Sequence, residues 1–104
     1  MTTFDDRKKA YESKFAHDAE MKFRAEARRN KLLGLWAAEL LGKAGAEADE
    51  YAKEVIKADF EEAGHADVVR KLVADLGGRA DEATIRDKML EFLDIAKAQL
   101  IAEQ

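Results

Sequence analysis

The sequence predicts an all-α protein, a small four-helix bundle with an N-terminal helical or partly disordered extension. Three observations predict it. Proline is absent from all 104 residues, and beyond Gly34 the glycines gather at 42–45, 64 and 77–78, where helices would end. Charged residues make up 38% of the chain, and Ala, Glu, Lys, Leu and Asp dominate it, mostly good helix formers. Apolar residues recur at i, i+3, i+4 and i+7 in separate stretches, the spacing of a stripe that faces a core.

The first helix can begin at once. Thr2 or Thr3 can cap it, and Thr3-Phe4-Asp5-Asp6 places carboxylates where the helix dipole favours negative charge. From there to Leu41 nothing stops a helix except Gly34, which costs about 1 kcal/mol relative to alanine and need not break it. The two parts of this stretch differ. Up to about residue 27 the large apolar groups are sparse, with Phe4, Tyr11 and Phe15 at spacings of seven and four, then Met21 and Phe23, on a charged cylinder. From Leu32 the density rises, and Leu33, Trp36, Ala37 and Leu40 share one face. The chain therefore divides into an N-terminal segment, 1–22, and a bundle domain, 23–104.

Helix two is expected from Ala46 to Glu62, with Ala48, Tyr51, Ala52, Val55, Ile56 and Phe60 turned inward and Gly64 ending it. Helix three spans Ala66 to Leu76, with Val68, Val69, Leu72, Val73 and Leu76 at helical spacing and Gly77-Gly78 as its stop. Asp81 caps helix four, which runs to Ala102 on an inner face of Ile85, Met89, Phe92, Leu93, Ala96 and Leu100. Short connections suit antiparallel neighbours.

Composition narrows the function classes. A chain of this length forms one domain with a modest core. The absence of cysteine removes disulfides and thiolate metal sites. No run approaches the roughly 18 apolar residues of a membrane span. The first residues lack the basic and apolar regions of a secretory signal, so a cytoplasmic protein without direct membrane insertion is expected. Charge is polarised: residues 1–31 hold nine Lys/Arg against six Asp/Glu, whereas 32–104 hold nine against sixteen, within a net charge of −4. The small basic patch and acidic remainder argue against nucleic acid.

Catalysis finds no foothold. His17 and His65 lack evident partners and read as exposed surface residues, Ser13 is the single serine, and no phosphate-binding glycine loop is present. An enzyme is not expected, nor a resident metal or required cofactor. Two features remain with open readings. Arg24, Arg28 and Lys31 fall at i, i+4 and i+7; they form either a solvated face or a site for phosphate or an acidic surface. The aromatic stripe Phe4, Tyr11, Phe15 and Phe23 either packs on the bundle or waits as a helix-in-groove ligand.

The blocks Met1-Thr-Thr-Phe-Asp-Asp-Arg, Lys14-Phe-Ala-His-Asp-Ala-Glu, Lys22-Phe-Arg-Ala-Glu-Ala-Arg-Arg-Asn-Lys-Leu-Leu-Gly and Trp36-Ala-Ala resemble the zeta subunit of the alphaproteobacterial F-type ATP synthase. Asp59-Phe-Glu-Glu and Ala80-Asp-Glu-Ala-Thr-Ile-Arg agree with it. The resemblance implies an inhibitor of ATP hydrolysis whose N-terminal segment enters between an α and a β subunit of the catalytic head, near the rotor γ subunit. Thr2, Phe4, Arg7, Lys8, Tyr11, Lys14 and Phe15 would then be the partner-binding residues. It also implies a bundle that responds to ADP or ATP, for which Arg28, Asn30 and Lys31 are the candidates, and a location peripheral to the inner membrane through the synthase. An ADP/ATP-sensing regulatory module whose N-terminal helix binds another protein is the alternative. Four buried aromatic anchors would supply roughly 6–12 kcal/mol. Growing the segment from an already packed helix would avoid a nucleation penalty of roughly 4 kcal/mol.

Overall fold

A computed structural model describes residue 15 and residues 17–60 and 65–103. Four helices follow one another: α1 (Ala19–Leu40), α2 (Ala46–Ala58), α3 (Ala66–Leu76) and α4 (Glu82–Ala102), with a 3₁₀ turn at Gly77–Arg79 before α4. The described residues are thus an all-α four-helix bundle, as the sequence predicts.

α1 lies at the centre of the packing, against α2 along one side and α4 along the other. Its buried side chains include Ala25, Arg29, Leu33 and Ala37, spaced by four, with Met21, Asn30, Gly34 and Ala38 beside them. The main core joins Leu33, Ala37 and Ala38 to Tyr51 and Val55 of α2, Val68, Val69, Leu72 and Leu76 of α3, and Ile85 and Met89 of α4. A second, smaller cluster at the other end of α1 holds Phe15, Met21, Ala25 and Leu100.

Gly34 has a role that tolerance of a helix interior did not foresee. A Cβ built there would lie 2.7 Å from the Ala52 Cα. The backbones of α1 and α2 approach too closely for any side chain at this crossing.

The ends of the helices show where the sequence was read correctly and where it was not. Asp81 caps α4 by accepting a 2.8 Å bond from the Thr84 backbone N–H, and Gly77, at φ +55°, ends α3. The long first helix, however, is interrupted. Asp18 has extended backbone (φ −107°, ψ 104°), and its carboxylate accepts from the Met21 N–H at 3.1 Å. Phe15 and His17 are helical on the far side of that break. An aspartate three residues before the first buried position is an N-cap, and local side-chain bonding there wins over helix continuation. The backbone break therefore falls at Asp18, while α1 runs unbroken across residues 22 and 23.

α2 ends at Ala58 rather than Glu62, and Phe60, expected inside, is 63% exposed. Val73 and Leu40, also expected inside, stand at the rim. In each case the helical stripe continues past the area its neighbours can cover.

Asp75 and Asp81 are among the carboxylates that bias stability with pH. Burial pushes the Asp75 carboxyl up, but hydrogen bonds from Lys71 and Tyr51 outweigh this and hold it below the usual carboxylate range. The Thr84 backbone N–H does the same for Asp81. Both are more acidic folded than unfolded, so their contribution is complete above the unfolded carboxylate range near pH 4 and is lost as pH falls through the folded values. Urea midpoints should accordingly fall as wild type is acidified, and fall less steeply in Asp75→Asn and Asp81→Asn; parallel pH profiles would refute this. Gly34→Ala should lower the calorimetric midpoint, because overpacking costs about 1–3 kcal/mol against a helix-propensity gain of about 1.

Candidate functional site

Opposite faces of the first half of α1 carry different chemistry. The inward register that buries Leu33 and Ala37 also buries, four and eight residues earlier, Arg29 and Ala25. Arg29 is 3% exposed. Burial lowers its pKa, and Asp59 and Glu26 act in the opposite direction to hold the charge.

Its partners converge from three helices. Arg29 Nε and Nη2 donate to the Asn30 Oδ1 at 3.1 and 2.9 Å, and Nη2 reaches the Asp59 Oδ2 at 3.4 Å. Asn30 Nδ2 donates to the same Asp59 oxygen at 2.8 Å. His65, at the start of α3, sets Nδ1 2.9 Å from the other Asp59 oxygen and 3.0 Å from Arg29 Nη2. Its Nε2 faces the Glu26 Oε1 at 3.7 Å. A guanidinium only donates and an ionised carboxylate only accepts, so the Nδ1 position can satisfy one of these neighbours at a time. His65 is therefore part of a clasp joining α1, the end of α2 and the start of α3, not the unpartnered surface residue expected from sequence. His17 is exposed, as expected.

Glu26, Asp59 and His65 bring potential ligand atoms within 4.8 Å of one another. The guanidinium already occupies the cation's place among them. A divalent ion about 4 Å from it would meet roughly 8 kcal/mol of repulsion at an effective dielectric of about 20. The chemistry of the cluster is that of an internal tie.

The outer face of α1 fulfils the spacing argument. Arg24, Arg28 and Lys31 line one shallow hollow together with Met21, Phe23, Ala27, Ile56, Leu100 and Glu103. Arg28 pairs through both nitrogens with Glu103, one bond measuring 3.0 Å; this bond raises the arginine's pKa and lowers the carboxylate's. Arg24 pairs with Glu20 at 2.6 Å on the open surface. Asn30 belongs elsewhere: it is 1% exposed, bound within the clasp, and borders a neighbouring hollow with Glu26, Asp59 and Phe60. Of the three nucleotide candidates, Arg28 and Lys31 line one hollow and Asn30 lines the neighbouring one.

A family model described as ATPase inhibitor subunit zeta matches residues 1–99. The chain belongs to that family. None of the curated proteins matches it. A protein known by its solution NMR structure is 61% identical, with a TM-score of 0.75 over 81% of this chain and 99% of that one. Membership of the zeta family makes the chain a regulatory protein of an inhibitor class, not one of a catalytic class. Among the described residues, no helix is long and apolar enough to cross a membrane.

Of the seven partner-binding residues expected in this zeta-family chain, Thr2, Phe4, Arg7, Lys8, Tyr11 and Lys14 lie outside the described residues. Phe15 is 3% exposed, seated in the cluster with Met21, Ala25 and Leu100, with the Lys97 ammonium 5.8 Å from its ring. Phe23, grouped with it in the aromatic stripe, is 52% exposed and faces the other way, toward Phe60.

The clasp generates a stability prediction. Asp59→Ala removes the carboxylate that both Arg29 and Asn30 use, leaving a buried charge with only the Glu26 carboxylate to offset it, which should cost about 3–5 kcal/mol. Chemical denaturation measures it. A loss below about 1 kcal/mol, the range of an exposed pair, would show that the clasp does not hold the fold.

Proposed function

We propose that this chain inhibits ATP hydrolysis by the ATP synthase, acting through residues 1 to about 20 at an interface between an α and a β subunit near the rotor. The observation that carries the reading is the zeta-family match, which runs from the first residue through the N-terminal segment and across the bundle. Two physical points support it. Phe4 and Tyr11 are large apolar groups seven residues apart, one face of a helix that a cleft could bury, each for about 1.5–3 kcal/mol. The bundle supplies a rigid body from which the segment departs, so a partner gripping the segment also has to accommodate, or move, a folded domain.

The extended residue at Asp18 alters the energetic argument. α1 begins at Ala19 with Asp18 as its N-cap, so a helix over residues 1–14 would not prolong α1; it would join Phe15 and His17, which are helical on the far side of the break. Unidirectional inhibition follows if the cleft tightens on the segment in the hydrolytic direction of rotation and opens in the synthetic one.

Steady-state ATP hydrolysis by the purified catalytic head is the direct test. The Phe4→Ala/Tyr11→Ala chain should inhibit at least about tenfold less potently than wild type, with an unchanged far-UV spectrum. Equal potency would overturn the reading. Phe15→Ala is a poorer probe, because removing a buried phenylalanine costs about 3–5 kcal/mol of stability whatever its role at a partner.

A further inference from the structure

Two shallow hollows meet over Phe23, Ala27 and Ile56 and form one groove across α1. Phe23 and Phe60, 52% and 63% exposed, stand beside each other along it with ring centroids 5.6 Å apart. Neighbouring exposed aromatics of this kind are typical of contact surfaces, where a flat apolar ring can be covered at little entropic cost. On the α4 side the groove is cationic, with Arg24, Arg28 and Lys31 against Glu103, whereas its Phe60 side is lined by Glu26 and Asp59. Among the described residues Lys31 has no ion-pair partner, and the Arg24–Glu20 pair is more than half exposed on both sides. Such a pair holds at most about 1 kcal/mol, so an incoming carboxylate can replace Glu20.

We propose that this groove docks a carboxylate-bearing, apolar-anchored segment of a protein partner. Its acidic side chains would meet Arg24, Arg28 and Lys31, and its apolar anchor would cover Phe23 and Phe60. Charge complementarity selects that chemistry over a basic or purely apolar occupant. Position also argues for it. Phe15, from which residues 1–14 continue, packs on Met21 and Leu100, and both of these also line the groove. Phe15, the last of the expected partner-binding residues, is therefore seated beside the groove. The groove is thus a second contact, on the bundle, with the partner of the inhibitory segment; the identity of that partner rests on the reading above.

The test uses the full chain and the purified catalytic head of the synthase, with binding followed by interferometry and hydrolysis measured separately. Arg24→Glu/Lys31→Glu and Phe23→Ser/Phe60→Ser should each weaken binding about tenfold or more. The charge-reversed chain should also lose most of the salt dependence of wild-type binding. Both substitute exposed side chains, and melting curves check that the fold is retained. Binding within about twofold of wild type for both variants would overturn the proposal. So would a concentration-dependent dimer of the wild-type chain that Phe23→Ser/Phe60→Ser abolishes, which would assign the face to a second copy. So would ADP or ATP binding to the free chain that Arg24→Glu/Lys31→Glu abolishes, if neither variant changed binding to the head. The two readings fail separately: inhibition that survives Phe4→Ala/Tyr11→Ala removes the inhibitory segment, whereas binding that survives the groove variants removes the groove.

Discussion

A buried guanidinium has to be neutralised where it lies, and that constraint sets the rotation of α1. Arg29 is taken out of water by the same register that buries Leu33 and Ala37, and its compensating groups arrive from the end of α2 and the start of α3. Rotating α1 by one residue would draw Arg29 away from Asp59 and break the Asn30 bond as well. With the rotation fixed, Arg24, Arg28 and Lys31 have to face outward, and Phe23 has to stand beside Phe60. The outer surface is a consequence of the inner tie.

Gly34 makes the tie geometrically possible. With the α1 and α2 backbones nearly in contact at Ala52, the following turns stay close enough for Asn30 to reach Asp59 at 2.8 Å. A wider crossing would take the Asp59 carboxylate away from that amide and the arginine in a low-dielectric setting, where an unmet polar group is costly. Among the described residues, no buried side-chain nitrogen or oxygen lacks a hydrogen-bond partner.

Much of this was legible in the residues, and the exceptions have physical causes. Helical periodicity placed three of the four helices within a few residues, because caps such as Asp81 and stops such as Gly77 are local signals. The face shared by Arg24, Arg28 and Lys31 followed from the same periodicity. What escaped was tertiary. Arg29 reads as one more surface cation until the Leu33–Ala37 stripe is extended backwards by four, and then its burial follows. His65 and Asp59 are six residues apart in sequence, and no spacing rule announces that they meet. Asp18 has the residue type of an N-cap, but nothing local in a chain rich in charge and helix formers marks it as the break. Phe60 was misplaced because a periodic stripe does not say where its neighbours end.

The extended residue at Asp18 has a mechanical meaning. A continuous helix conveys twist and bending along its whole length, so residues ahead of α1 would act on the bundle as a stiff lever. The extended residue at Asp18 breaks that lever, and a pull from the N-terminal side meets the Phe15 ring, held by Met21, Ala25 and Leu100, before it meets α1. Thermal jostling of a large rotary partner would thus load a small apolar contact before it reached the Arg29 tie, leaving the folded body intact while the chain ahead of it reoriented.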